Sequence, residues 1–327
     1  MMALQTLCLS VVLTLATHSA GPLPSPKGSP YRPSQGPRIR AEHGSASADT
    51  TSTRLILLGT GTPNAEPDRA GSALAIVVDD IPYLVDAGPG VVRRANAAHE
   101  AGVEGLEVGR LATVFLTHLH SDHTLGLPDL MYSPWVLGRD VPLRVLGPEG
   151  TAEMVHHLEQ AYRRDIQVRL EGLEPANDTG YRAEVKEVEP GVVYEDRRVK
   201  VIAFPVEHGA WPQAFGYRFE TGDRVIVVSG DTAPTDAVVE HCQGCDILVH
   251  EVYAHSGWEK RAPAWQRYHA ASHTSGLELG RLAARAQPKL LVLTHQLLWG
   301  ATPEELLAEV GENFQGRVVY GRDLQVH

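Results

Sequence analysis

The sequence predicts a mixed α/β protein built as a four-layer αββα sandwich. Three observations lead there. Short β-branched and aromatic runs fall into two sets, one ending near residue 146 and one beginning near residue 181. Segments of helical spacing flank both sets, and polar residues of chemical interest recur directly behind apolar strands. Two sheets packed together, with helices on their outer faces, are the layered arrangement that such a grouping suggests.

Residues 54–58 (Arg-Leu-Ile-Leu-Leu) read as a strand, and 59–63 (Gly-Thr-Gly-Thr-Pro) follow as a tight turn. Residues 72–78 and 82–85 add two strands in an antiparallel opening. Asp86-Ala-Gly-Pro-Gly closes the third strand, 91–101 reads as a helix, and 111–117 is the strand that delivers a histidine-rich loop. Helical spacing over 124–137 places Leu125, Leu127, Leu130 and Met131 among its apolar positions. A strand at 143–146 and a helix at 151–162 follow. The second sheet is predicted from 181–189, 199–204, 215–220 and 224–228. A buried strand at 247–249, a helix at 273–286, a strand at 290–293 and a helix at 303–310 complete the series; Thr302 is the N-cap of the last and Pro303 its first residue.

The chain's 327 residues suffice for one large domain or two small ones, and its net charge of −11 disfavours a general nucleic-acid-coating role. The N-terminal apolar stretch is too short and too polar for a stable membrane span and reads as a signal peptide over 1–20, cleaved near Ala20. Residues 21–52, rich in Pro, Gly, Ser and Thr, read as a flexible linker, and 53–327 as the folded domain. The expected location is periplasmic or secreted, or cytoplasmic should the leader not be a signal. Of three cysteines, Cys8 lies in the leader, and Cys242-Gln-Gly-Cys245 is open to three readings: free thiols, a disulfide or a redox pair.

The densest chemical signal is Thr-His-Leu-His-Ser-Asp-His at 117–123, which brings His118, His120, Asp122 and His123 within six positions. Imidazoles and a carboxylate buried without partners carry a heavy desolvation cost, which a divalent cation offsets. Neutral imidazole nitrogens and carboxylate oxygens suit zinc. Alternation sends His118 and His120 the same way, while the following turn offers Asp122 and His123, so two metals fit the pattern. Further polar residues follow apolar strands: His208 after 201–204, Asp231 after 225–228, His295 after 290–292.

In Asp86, the H-x-H-x-D-H run, His208, Asp231 and His295, taken in order, the sequence resembles the metallo-β-lactamase superfamily. The resemblance implies one Zn2+ on His118, His120 and His208 and a second on Asp122, His123 and His295, with Asp231 bridging; Mn2+ or Fe2+ are the alternatives. Asp86 would orient the ligand loop. A bridging aspartate is a mark of the phosphodiesterase and lactonase branches, because it helps hold two cations roughly 3.5 to 4 Å apart around a shared hydroxide. Within the superfamily the chain is similar to the ribonuclease Z and arylsulfatase-like group, through Leu-Gly-Thr-Gly-Thr-Pro at 58–63, Asp-His-Thr-Leu-Gly-Leu-Pro at 122–128, Val249-His-Glu251 and Ala271-Ser-His-Thr-Ser275. The catalytic residues so implied are Asp122, His273 as proton donor at the start of a helix, and Glu251 as its orienting carboxylate.

One departure bears on substrate. Ribonuclease Z carries a basic arm between the third-motif histidine and the bridging aspartate, and only 22 residues separate His208 from Asp231 here. The sequence therefore points to a dinuclear zinc phosphodiesterase acting on a small or short phosphodiester or ester substrate, with tRNA disfavoured. A β-lactamase or lactonase on the same fold and a non-catalytic metal-binding protein are the alternatives, and the group resemblance suggests a homodimer. Trp211, Trp258, Trp265 and Trp299 are candidates for an aromatic rim, and His156 and His157 for surface positions.

Overall fold

In a computed structural model that describes residues 51–327, the strands form two sheets, but the strand expected at 181–189 to open the second sheet is an edge strand of the first, paired in parallel with the strand at 143–147. The first has the order β1 (Thr53–Gly59), β2 (Ala73–Val78), β3 (Ile81–Val85), β4 (Thr113–Phe115), β5 (Leu143–Gly147), β6 (Ala183–Glu187). The second comprises β7 (Gly191–Glu195), β8 (Val199–Pro205), β9 (Phe215–Thr221), β10 (Val225–Val228), β11 (Ile247–Tyr253), β12 (Leu290–Leu297) and β13 (Val318–Tyr320), again as neighbours in sequence order. The hairpins are antiparallel, while β3 to β6 and β10 to β13 pair in parallel.

Three apolar layers make the sandwich. Because successive side chains point to opposite faces, Leu55 and Leu57 join Phe115, Tyr217, Phe219 and Val249 between the sheets, while Ile56 and Leu58 face outward. That outer face is covered by α1 (Val91–Glu100), α3 (Leu127–Val136) and α4 (Thr151–Glu171). The opposite sheet is covered by α5 (Asp236–Cys242), α8 (Gly276–Ala286) and α9 (Pro303–Gly311). Each sheet is thus buried on both faces, which is why so many strands lack polar alternation.

Several elements differ from expectation. The helical segment expected at 124–137 is two pieces, α2 (Ser121–Thr124) and α3. Helix α4 runs beyond the expected end at 162 to Glu171, and β12 runs beyond 293 to Leu297. The helix expected to begin at 273 begins at Gly276, where Ser275 and Glu278 form a capping box. Ahead of it lies an unanticipated helix, α7 (Pro263–Ser272), preceded by the short α6 (His255–Trp258). Strands β7 and β13 and helix α5 were also not anticipated. Thr302 and Glu305 form the N-terminal box of α9, with Pro303 in its first turn. Cys242 and Cys245 are joined by a disulfide. No described helix is long and apolar enough to cross a membrane. The signal-peptide reading and nearly all of the linker reading fall on residues 1–50, outside the described residues.

Candidate metal centre

The loops behind β3, β4, β8 and β10 meet the ends of β11 and β12 at one edge of the sandwich, and each brings a polar side chain. His118 and His120 follow β4, and Asp122 and His123 sit on the one-turn helix α2. His208 comes from the β8–β9 loop and Asp231 from the loop after β10. His295 lies within β12, where pairing with β11 shifts register between Glu251 and Val252 and His295 takes a left-handed φ of 46°. A bulge of this kind re-aims one side chain without ending the strand. Gly88 is required where the loops approach closely, since a Cβ there would lie 2.5 Å from the Asp122 carbonyl oxygen.

All seven expected ligands come together. His118, His120 and His208 form one group of converging donor atoms, and Asp122, His123 and His295 another, each within 4.8 Å. Nε2 of His118 and Nε2 of His208 both lie 3.0 Å from Nδ1 of His120. Oδ2 of Asp231 lies 3.4 Å from His123 Nε2, 3.6 Å from His295 Nε2 and 4.0 Å from His118 Nε2, so one carboxylate oxygen addresses both groups. His295 Nε2 is 3.1 Å from Asp122 Oδ2.

The charge states follow from burial. Desolvation pulls His118 well below the ordinary histidine range, lowers His208, and brings His120 to about 4. These three imidazoles are therefore neutral, with nitrogen lone pairs available. Burial also acts to lower His123 and His295, yet Asp231 together with Asp86 raises the first and Asp231 with Asp122 raises the second. Burial opposes ionisation of Asp231, and His295 and His123 overcome it. The donor set fits divalent metal. Three ring nitrogens facing one point cannot all be satisfied by one another's protons, and the buried Nε2 of His123 has no hydrogen-bond partner.

Asp86 supports the loop rather than a helix end, because the N-cap of α1 is Gly90 and no side chain caps that helix. Its Oδ1 accepts from Thr117 N–H at 2.8 Å, and its Oδ2 faces His123 Nδ1 at 2.8 Å. The Thr117 hydroxyl lies 3.0 Å from both Asp86 Oδ2 and His118 Nδ1, which links the same carboxylate to a second imidazole. Sequence reading did not single out Thr117.

His273 is the residue after α7 rather than the first of a helix, and it is buried. Its Nδ1 lies 3.1 Å from Glu251 Oε2 and 3.9 Å from Asp231 Oδ2. Burial brings it to about 4, while burial and Asp231 hold the Glu251 carboxyl well above the usual range. The second Glu251 oxygen accepts from Thr274 N–H at 2.8 Å. Trp211 joins the centre, its indole nitrogen 2.7 Å from His120 Nε2. His156 and His157 are exposed, and His250, buried on β11, donates from Nδ1 to the Glu251 carbonyl at 2.6 Å.

The centre opens into a cavity of about 420 Å3 whose far wall is Arg261, Trp265, Tyr268, His269 and Trp299. Trp265 and Trp299 were candidates from sequence; Arg261 and Tyr268 were not. Trp265, Tyr268 and His269 share one side of α7, a spacing present in the sequence, while Arg261 lies just ahead of the helix.

A family model described as a β-lactamase superfamily domain matches residues 82–296. Ribonuclease Z of Mycobacterium bovis (strain BCG / Pasteur 1173P2) is 32% identical over 275 residues, covering 83% of this chain and 96% of that protein. Ribonuclease Z of Mycobacterium marinum (strain ATCC BAA-535 / M) is 33% identical over 279 residues, covering 83% and 96%. Among solved structures, the metallo-β-lactamase fold protein YhfI from Bacillus subtilis superposes with a TM-score of 0.66 at 18% identity, over 84% of this chain and 98% of that one. Human tRNase Z, short form, gives 0.63 at 21% identity, over 84% and 98%.

Proposed function

This chain belongs to the β-lactamase superfamily as a metal-dependent hydrolase of its ribonuclease Z-like group, and we propose that it is a dinuclear zinc phosphodiesterase. The observation that carries the reading is Asp231, whose Oδ2 faces histidines of both donor groups. His118, His120 and His208 would hold one cation, Asp122, His123 and His295 the other, and Asp231 both. When bound, such a pair would supply Lewis-acid stabilisation of charge at phosphorus and would lower the pKa of water to about 7.

The chain's own groups do the rest. Asp86 fixes the tautomers and ring planes of His123 and, through Thr117, of His118. His273 presents the nitrogen not engaged by Glu251 to the cavity, and a phosphodiester beside it favours its protonated form, ready to protonate the leaving oxygen. Trp211 and Tyr268 line a pocket beside His120 and His208.

The substrate is compact rather than tRNA. What supports this is that β8 and β9 are joined by residues 206–214 alone, too few for a gripping arm. We place residues 53–327 in one hydrolase domain, exported behind the leader. The Cys242–Cys245 disulfide supports an oxidising compartment. A homodimer is part of this reading, supported by the exposed apolar Leu125, Val136, Leu137 and Tyr162.

Kinetics on bis(p-nitrophenyl) phosphate, nitrocefin and an acyl lactone test the proposal. The diester is the expected substrate; His120→Ala loses metal and turnover together, whereas His273→Ala keeps metal and loses about 10²- to 10⁴-fold in kcat. Turnover surviving in His120→Ala, or preference for the lactam or lactone, overturns it.

A further inference from the structure

The cavity wall away from the ligand histidines carries a charge and two unpaired nitrogens that the reaction at the metal centre does not use. The Arg261 guanidinium carbon lies 5.5 Å from the Trp265 ring and 5.3 Å from the Trp299 ring. Its Nε is buried with no hydrogen-bond partner, and no described carboxylate forms an ion pair with it. His269, only 6% exposed, lines the same cavity, and its Nδ1 is likewise buried without a partner. Buried polar nitrogens left unpaired are rare, and the two indoles attract the guanidinium but give its N–H groups no acceptor, which an anion would supply.

The aromatic groups are arranged in steps leading away from the centre. His295 and His273 stack at 5.8 Å, His273 and His269 lie 5.5 Å apart, and His269 and Trp299 4.3 Å apart. Trp265 stacks on His269 at 5.6 Å, and Tyr268 closes the side at 5.0 Å. Three ring contacts thus lead from His295 to Trp299, and Arg261 meets both tryptophans at the end of the series. At about 420 Å3 the cavity falls within the range that encloses one small molecule, roughly 300 to 1,000 Å3.

We propose that this wall is a nucleotide subsite: Trp265, Trp299 and Tyr268 pack a planar base, and Arg261 with His269 holds the oxygens of a second phosphate next along the chain from the one cleaved. The substrate class is then a short nucleotide phosphodiester bearing an additional phosphate. Stacking on aromatics accepts any base, so this subsite selects the class of compound rather than its sequence. The inference deepens the phosphodiesterase reading and rests on it.

Three compounds with the same p-nitrophenolate leaving group separate the parts: methyl p-nitrophenyl phosphate, thymidine 5′-(p-nitrophenyl phosphate), and the latter with a 3′-phosphate. KM should fall at each step, by about tenfold or more per feature, with kcat little changed. Trp299→Ala should erase the gain from the base. Arg261→Met should erase the gain from the 3′-phosphate and keep that from the base. Calorimetric Kd values for the same compounds on metal-free protein should follow the same order. That measurement separates two failures: ordered binding without turnover sinks the phosphodiesterase reading but not the subsite. Equal KM and Kd across the three compounds, or an Arg261→Met defect that falls equally on all three, overturns the subsite.

Discussion

Asp86→Asn isolates the support of the ligand loop from its shape. The carboxylate accepts at both oxygens, from Thr117 N–H on Oδ1 and from His123 Nδ1 on Oδ2, each at 2.8 Å. An amide has one acceptor and one donor end. In either orientation its NH2 faces a donor, the Thr117 amide or the His123 Nδ1–H that must be present when Nε2 binds metal. The site is 4% exposed, so water cannot repair the mismatch. Asparagine tolerates the left-handed φ of 60° at this position, so backbone strain does not confound the result. Losing one charge-assisted bond of about 1.5–3 kcal/mol and leaving a buried donor unpaired should destabilise metal-free protein by about 2–4 kcal/mol. Freed from its acceptor, His123 should bind zinc about 10- to 100-fold more weakly. Chelator-competition titration reads the affinity and thermal unfolding of metal-free protein reads the stability. Zinc affinity within about threefold of wild type, with an unmoved melting temperature, would refute the reasoning.

Three further outcomes are expected. A cation on His120 Nδ1 leaves the proton on Nε2, opposite the Trp211 N–H now 2.7 Å away. Zinc should therefore turn Trp211 aside and change tryptophan fluorescence, a response that Trp211→Phe removes; an identical response in that variant contradicts the tautomer argument. Arg139 is 1% exposed and donates to the carbonyls of Leu111, Leu130, Met131 and Gly180, and Leu130 has no helical donor because Pro134 lacks an N–H. Arg139→Met should cost about 3–5 kcal/mol in denaturant unfolding, and a loss under about 1 kcal/mol would mean those carbonyls find other partners. At Asp196 burial acts to raise the pKa, but hydrogen bonds from Tyr83 and from the amides of Arg198 and Val199 lower it; Asp223 and Asp246 follow the same pattern through Thr53 and Lys289. Folded values below the unfolded one mean stability that is fully present above about pH 4 and lost as pH falls from there through the lowered folded values, so Asp196→Asn should flatten the acid limb of a melting-temperature profile.

The sequence disclosed the site more fully than it disclosed the elements carrying it, for a physical reason. Ligand residues are chemically conspicuous, and open sheets place them behind strands, so His208, Asp231 and His295 could be found by what precedes them. Elements that rest on tertiary context are quieter. Helix α4 beyond Tyr162 buries little besides Ile166 and is held by pairs such as Asp165–Arg169 and Gln167–Glu171, which apolar periodicity does not register. The strand ending expected at 293 failed because β12 continues through His295 in a left-handed conformation that β11 enforces. Helix α7 has a polar sequence whose buried side, His269 and Ser272, is not apolar. The Arg261 sandwich lay deepest: one indole comes from α7 and the other from the turn after β12. Arg261, just ahead of α7, lies close in sequence to Trp265, but only the parallel β11–β12 ladder carries Trp299 to the same guanidinium.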